Sequence, residues 1–207
     1  VEWDEPEKVA RSIHLMKIKH AVITSVDRDD LRDGGSIIWA ETVEAIRRSN
    51  PNTTLETLIP DFRGIRRNID RIVEVKPEVI SHNLETVERL TPQIRSRAQY
   101  RRSLKVVGMV AASEITSKSG IMLGLGEREE EVLQCLDDLL EAGCEVLTLG
   151  QYLQPSVHHL PLDRYVHPDE FARLGELGYE LGFTHVASGP MVRSSYHADQ
   201  QAKDVVG

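Results

Sequence analysis

The feature that most constrains the fold is a repeated alternation between short apolar segments and segments with helical spacing. β-Branched residues dominate residues 21–26, and residues 36–49 then place apolar side chains at intervals of three and four. Such a pair is typical of a strand followed by an amphipathic helix. The pattern predicts further strands at residues 54–59, 78–82, 120–125, 145–149 and 185–187, and further helices at 65–75, 85–90, 129–141 and 167–181. Apolar strands joined by helical crossovers predict a parallel sheet covered by helices.

The chain opens with a helix instead of a strand. Asp4 is placed to cap this helix and Pro6 lies in its first turn. Its predicted apolar face consists of Val9, Ile13 and Met16. Because a crossover helix normally follows a strand, we expect an upstream strand that these residues do not include. The predicted fold class is therefore α/β, a partial parallel (β/α) barrel missing its first strand, with an open doubly wound sheet as the alternative. No linker divides the sequence, so we expect one domain over residues 1–207.

The charge balance excludes several classes of function. The chain has 25 Lys and Arg against 33 Asp and Glu, which gives a formal net charge of -8. Nucleic acids and anionic membranes bind clustered basic residues, so neither partner is expected. No apolar stretch approaches the ~20 residues of a membrane span. Two cysteines in 207 residues fit a reducing compartment, and we expect a cytoplasmic protein.

Polar residues gather at the predicted carboxyl ends of the strands. The segments are SVDRDDLRDGG at 25–35, IPDFRG at 59–64, SHNLETV at 81–87, SKSGIMLGLGE at 117–127, LGQYLQP at 149–155 and SGPMVRSSYHAD at 188–199. Ligands of parallel α/β folds bind beyond these strand ends. Glycines 120, 124 and 126 would let backbone N–H groups approach such a ligand closely. The sequence therefore predicts a single functional rim.

Other candidates for chemistry carry less weight. Cys135 follows the spacing of an apolar helix face and Cys144 enters a predicted strand, so both are expected in the core. The sequence contains no GxSxG elbow and no P-loop, which leaves hydrolase and nucleotide-triphosphate chemistry without support. An unrelated metal-dependent barrel enzyme that uses Asp27, His82 and His158 is an open alternative.

The rim segments carry a specific resemblance. ITSVDRDDLRDGG, IPDFRG, HNLETV, KSGIMLGLGE, LTLGQYLQP, RYVHPDEF and HVASGPMVRSSYHAD follow one another over nearly the whole chain. In this order and spacing they closely resemble the lipoyl synthase family of the radical SAM superfamily. The resemblance implies a partial barrel, S-adenosylmethionine and two 4Fe-4S clusters. It also implies the insertion of two sulfur atoms into an octanoyl chain on a lipoyl-carrier protein, after the cofactor is cleaved to a 5′-deoxyadenosyl radical.

The resemblance also implies roles for residues that match the family's motifs. Ser25 and Asp27 would bind the methionine amine, Asn83 and Glu85 the ribose hydroxyls, and Lys118 the methionine carboxylate. The remaining cofactor-binding residues implied are Gly124 and Gly126 near the nucleoside, and Tyr152 and Leu153 against the adenine.

The cluster ligands are where the sequence departs from the family. There, a CxxxCxxC motif binds the first cluster. The auxiliary cluster, which is the sulfur source, is bound by a CxxxxCxxxxxC motif and a serine of RSSY. That serine corresponds to Ser194, the predicted metal ligand. Ser194 and Arg193 are the catalytic residues that the resemblance implies, and Arg193 would offset the cluster's negative charge. Both cysteine motifs lie further upstream in the family. We therefore expect a truncated lipoyl synthase that holds no cluster and is inactive by itself.

Partners follow from the same resemblance. The implied substrates are octanoylated carriers, namely the H protein and the acyltransferase subunits of 2-oxoacid dehydrogenases. Ferredoxin or flavodoxin would be the electron donor. A non-catalytic fragment or pseudoenzyme that binds S-adenosylmethionine or the carrier weakly is the alternative function.

Overall fold

A single parallel sheet organises the computed structural model, which describes residues 2–94, 99–196 and 198–200. The strands are β1 His20–Thr24, β2 Thr54–Leu58, β3 Val79–Ser81, β4 Thr116–Leu123, β5 Val146–Gln151 and β6 His185–Gly189. The α-helices are α1 Glu5–Met16, α2 Ser36–Ser49, α3 Arg66–Glu74, α4 Thr91–Ile94, α5 Tyr100–Ala111, α6 Glu129–Glu141 and α7 Pro168–Leu181, and a 3-10 turn covers Phe62–Gly64. Within the described ranges, every helix is too short or too polar to cross a bilayer.

The order of the strands separates the two predicted architectures. The six strands lie side by side in chain order from β1 to β6, and all five pairings are parallel. A doubly wound sheet would reverse its strand order at a switch point. This sheet does not reverse, and among the described residues β1 and β6 are edges that do not meet. The structure thus confirms a partial (β/α) barrel and excludes the doubly wound alternative.

The two faces of the sheet differ in chemistry. On the outer face, Leu55, Ile80, Ile121 and Leu147 pack in the hydrophobic clusters formed with the helices. Because side chains alternate along a strand, the neighbours of these residues point to the opposite, inner face. The inner face carries Glu56, Ser81, Lys118, Gly120 and Thr148, all from the strands. A polar inner face thus leads up to the carboxyl-terminal rim.

Most predicted elements are confirmed, and two require correction. The bounds of α2 and α6 match the prediction, whereas β4 begins at Thr116, four residues before the predicted start. Residues 116–119 are buried but polar, so the apolar pattern could not show them as a strand. The helix predicted at residues 85–90 is wrong. Glu85 has a φ of 70° and forms a bridge to Ile121 of β4, and the crossover helix, α5, begins only at Tyr100.

Helix α1 packs on α2. Ala10 and Ile13 are buried against Val43 and Ile46, as the predicted apolar face requires, but Met16 is 63% exposed and lies outside that face. Asp4 occupies the N-cap position without bonding to a backbone N–H, and its carboxylate pairs with Lys8 at 3.0 Å. The helix therefore begins where expected, without the predicted side-chain cap.

Candidate functional site

Loops after β1 and β2 enclose a pocket of about 600 Å³ at the carboxyl-terminal edge of the sheet. We call it the first pocket. Its wall comes from the segments 27–34 and 60–68, together with Ile94 and Arg102, and it includes three aspartates and four arginines. This volume lies within the range of about 300–1,000 Å³ common for ligand sites. The first pocket therefore has the size and polarity of a site for a charged small molecule.

Interactions between the loops shape the first pocket. Arg63 Nη2 donates to the carbonyl of Asp29 at 2.7 Å, which links the loops after β1 and β2. Arg102 Nε donates to Asp61 Oδ2 at 2.7 Å and ties α5 to the same rim. Asn68 lines the pocket at 2% exposure, and its Oδ1 has no hydrogen-bond partner among the described residues. A buried acceptor without a partner is costly, so Asn68 Oδ1 is a candidate to accept a hydrogen bond from a ligand in this pocket.

A second pocket of about 510 Å³ lies beyond the end of β5. It brings together Tyr152, Leu153 and Arg193 of the predicted site, and it shares Ile94 with the first pocket. Tyr152 is buried and its hydroxyl donates to the Leu160 carbonyl at 2.7 Å, whereas Leu153 is half exposed. The two pockets thus adjoin along the rim.

Gln151 organises the loop that borders the second pocket. Its side-chain amide donates to the carbonyls of Tyr152 at 2.9 Å and Arg164 at 3.1 Å. Its Oε1 accepts from the backbone N–H of Val166 at 2.8 Å. One buried side chain therefore holds both ends of the loop 152–166.

Four predicted cofactor-binding residues follow β1 and β3. Ser25 and Asp27 are exposed after β1, and Asp27 lines the first pocket. Asn83 and Glu85 do not start a helix but run alongside β4, where the Glu85 N–H donates to the Gly120 carbonyl at 3.0 Å. A Cβ atom added to Gly120 would lie 3.4 Å from Asn83 Oδ1, so Asn83 sits beside the inner face.

Lys118 lies within β4 and not at its end. It is 1% exposed, and its Nζ donates to Glu56 Oε2 at 2.9 Å and to the Ser194 carbonyl at 2.6 Å. Burial lowers the pKa of Lys118 and raises the pKa of Glu56, while their mutual attraction opposes both shifts. The predicted contact between Lys118 and a methionine carboxylate stays a prediction, and the structure shows these two other partners.

Gly124 and Gly126 form the turn after β4, both with positive φ. A Cβ atom at Gly124 would meet the Arg164 carbonyl and the Gln151 amide at 2.4 Å each. The N–H of Gly124 donates to Glu127 Oε1 at 2.7 Å. The backbone of this turn therefore approaches protein groups closely, and its predicted approach to a nucleoside stays a prediction.

Residues 190–196, which we call the C-terminal segment, carry Arg193 and Ser194. Ser194 is half-buried, and Arg193 is exposed with its guanidinium folded onto the Val192 carbonyl at 2.6 Å. A Cβ atom at Gly150 would meet the Val192 carbonyl at 2.3 Å, so the segment lies against β5. His197, also part of the predicted motif, lies outside the described residues.

Neither the two cysteines nor the residues of the alternative metal site are arranged as metal ligands. Cys135 and Cys144 are free and buried, as predicted, and burial raises the pKa of each to about 12. Both ring nitrogens of His82 face protein groups, the Ile59 carbonyl at 2.9 Å and the Ser103 hydroxyl at 3.0 Å. No cluster of three His, Cys, Asp or Glu residues suited to a metal occurs in the described part of the chain. The proposed site of Asp27, His82 and His158 is therefore wrong.

Sequence reasoning missed Glu56 and Asn68. Glu56 stands in the middle of TLETL, and a charged residue inside a predicted buried strand was a usable signal. Asn68 interrupts the buried face that α3 forms with Ile69 and Ile72, and nothing in its spacing distinguished it. Both side chains are buried and keep an oxygen without a partner among the described residues.

Comparisons with known folds support this architecture. The methylornithine synthase PylB aligns with a TM-score of 0.67 at 10% identity and covers 94% of this chain and 64% of that one. The hydrogenase maturase HydG aligns with a TM-score of 0.66 at 13% identity, covering 90% of this chain and 49% of that one. At such low identity the likeness concerns the fold alone.

Sequence comparisons are more specific. The Radical SAM superfamily profile matches residues 1–139. The mitochondrial lipoyl synthase of Nematostella vectensis is 66% identical over 201 residues, which are 97% of this chain and 69% of that protein. The lipoyl synthase of Flavobacterium johnsoniae is also 66% identical over 201 residues, 97% of this chain and 70% of its own length. The chain therefore belongs to the lipoyl synthase family of the radical SAM superfamily.

Proposed function

We propose that this chain is the sheet and rim of a lipoyl synthase, which inserts two sulfur atoms into an octanoyl chain carried by a protein. The observation that carries the proposal is 66% identity to lipoyl synthases over 201 residues. The polar rim at the carboxyl ends of the strands supports it, because this is where parallel α/β enzymes place their chemistry. The residues form one domain in this proposal, since the six strands make one sheet.

The rim fits S-adenosylmethionine, which the family implies. The first pocket offers a buried acceptor on Asn68 and a carboxylate on Asp27, both suited to donor groups of a cationic ligand. Ser25 and Asp27 would hold the methionine amine, and Asn83 and Glu85 the ribose. Gly124, Gly126, Tyr152 and Leu153 would border the nucleoside. When bound and cleaved, S-adenosylmethionine would supply the group that removes hydrogen atoms from the octanoyl chain.

The residues of this chain do not fit a 4Fe-4S cluster on their own. Such a cluster takes cysteine thiolates, and the chain has two cysteines, both in the core with a raised pKa. We therefore propose that the chain alone holds no cluster and makes no lipoyl product. The thiolates of a working enzyme must come from residues other than these.

Ser194 and Arg193 are the proposed catalytic pair. Ser194 is half-buried on a segment held against the sheet, and its hydroxyl would be the ligand that this chain contributes to a cluster. A serine must lose its proton to bind iron well, so its bond would be weaker than that of a thiolate and easier to release. Arg193 would offset the negative charge there.

The proposed partners are octanoylated carriers, the H protein and the acyltransferase subunits, with ferredoxin or flavodoxin as electron donor. Two free thiols fit the reducing cytoplasm, which is the proposed location. The pseudoenzyme alternative is less favoured, because identity to lipoyl synthases extends along 97% of the chain.

A chimera tests the function. The part of the Flavobacterium johnsoniae relative that lies outside the matched 201 residues is joined to this chain, and iron, S-adenosylmethionine cleavage and lipoyl product on an octanoylated H protein are measured. We expect clusters and product from the chimera and neither from the chain alone. Ser194→Ala should keep cofactor cleavage and abolish sulfur insertion, whereas the exposed neighbour variant Ser195→Ala should keep both.

Two results would contradict the proposal. A chimera that binds clusters and cleaves S-adenosylmethionine without forming any lipoyl product would favour the pseudoenzyme. Product formation by Ser194→Ala at the parent rate would remove the ligand role of Ser194 while leaving the family activity in place.

A further inference from the structure

The C-terminal segment is packed onto the inner face of the sheet. Val192 is 5% exposed, and its carbonyl comes so close to β5 that a side chain at Gly150 would collide with it. The Val192 N–H donates to the Gly189 carbonyl at 3.1 Å and the Tyr196 N–H to the Arg193 carbonyl at 2.8 Å. The segment therefore has an ordered backbone at Ser194.

A buried charge reaches this backbone from the sheet. The Lys118 ammonium has three N–H donors, of which one meets Glu56 Oε2 at 2.9 Å and another the Ser194 carbonyl at 2.6 Å. Lys118 and Glu56 are each 1% exposed, so the bond to the segment is charge-assisted and shielded from water. Glu56 is two strands away from β4, on β2, and the pair thus spans β3 to hold the ammonium in place.

We propose that Lys118, oriented by Glu56, is the positioning residue of the C-terminal segment, docking it on the sheet through the Ser194 carbonyl and so placing the Ser194 hydroxyl. The importance of that hydroxyl rests on the proposed function, whereas the docking does not. The bond uses the backbone of Ser194, and the side chain at position 194 can therefore change without breaking it.

Hydrogen exchange measured by mass spectrometry on the 207-residue chain tests the docking. Removing Lys118 alone would leave Glu56 buried without its partner and could unfold the protein. The main variant is therefore the double substitution Lys118→Met and Glu56→Gln, which removes both charges. Loss of a charge-assisted bond should make exchange of residues 190–196 faster by about tenfold or more, with little change elsewhere.

Three controls separate positioning from general stability. Glu56→Gln alone keeps Lys118 and an oxygen acceptor at position 56, so the segment should stay protected relative to the rest of the chain even if global stability falls. Ser117→Ala removes the hydroxyl that donates to the Gly143 carbonyl on the outer side, and should lower the melting temperature without selective exposure of the segment. Ser194→Ala should keep full protection of the segment, even if it abolishes sulfur insertion in the chimera.

Unchanged protection of residues 190–196 in the double variant, or equal acceleration in every peptide, would overturn the proposal. If the double variant does not fold, Lys118→Met with Glu56→Leu carries the same expectation, since apolar pairs often replace buried ion pairs without loss of stability. In the chimera, the double variant should form less lipoyl product for each molecule of S-adenosylmethionine that is cleaved. Loss of cleavage with an intact segment would instead assign Lys118 to the cofactor.

Discussion

Replacing Gln151 by leucine should destabilise the protein through one buried network. Gln151 is 4% exposed, and the leucine side chain is somewhat shorter and has no hydrogen-bonding groups. The substitution leaves the Val166 N–H, itself buried, without the acceptor it has at 2.8 Å. It also removes donors from the carbonyls of Tyr152 and Arg164.

The expected loss of unfolding free energy follows from these contacts. An orphaned buried N–H costs about 1–3 kcal/mol, and each lost hydrogen bond about 0.5–1.5 kcal/mol. Burial of the leucine carbons returns about 1 kcal/mol. The net loss should be near 3 kcal/mol, which for a chain of this length lowers the melting temperature by about 6–12 °C.

Thermal unfolding followed by circular dichroism measures this loss. Gln154→Leu is the matched control, because Gln154 is exposed and its amide donates to the His159 carbonyl at 3.0 Å. Its effect should stay within about 0.5 kcal/mol. A melting temperature of Gln151→Leu within 1 °C of the parent, by the same measurement, would refute the network argument.

Two further expectations concern the turn and the thiols. Gly124→Ala should lower the free energy of unfolding by about 3–5 kcal/mol in a denaturant titration, because it adds left-handed strain and collides with the Arg164 carbonyl. Gly182→Ala has open space around it and should lower that free energy by only about 1–2 kcal/mol. Equal losses in the two variants would contradict this. Burial raises the pKa of Cys135 and Cys144 to about 12, so unfolded thiols ionise first and stability should fall as the pH rises above 9. Replacing both cysteines by alanine should reduce the difference in unfolding free energy between pH 8 and pH 10, measured by urea titration. An unchanged difference would show that the thiols are not its cause.

The outer layers of the fold could be predicted from periodicity. Helices α2 and α6 repeat apolar residues with helical spacing, and Leu55, Ile80 and Ile121 of the strands between them pack in the hydrophobic clusters of the outer layer. The helix predicted at residues 85–90 is wrong because Val87 and Leu90 pack in the hydrophobic core from a backbone that is not helical. Glu85 continues along β4 in a left-handed conformation that a helical pattern does not indicate.

The rim could be predicted in place but not in detail. Parallel strands bring their carboxyl ends to one edge, and Asp27, Tyr152 and Arg193 line pockets at that edge. The partner of Lys118 could not be predicted, because Glu56 is 62 residues away and on a strand that is not its neighbour. Side-chain pairing across a sheet depends on register and curvature, which short-range patterns do not contain.

The inner face connects these observations. A sheet that only supported the fold could fill its inner face with apolar side chains, at lower cost than a buried ion pair. This sheet instead keeps Lys118 and Glu56 there, and uses the ammonium to hold the Ser194 backbone. Glycine at positions 120 and 150 gives Asn83 and the Val192 carbonyl room to approach the same surface. The polar groups that weaken the inner face as a core are therefore the ones that organise the rim above it.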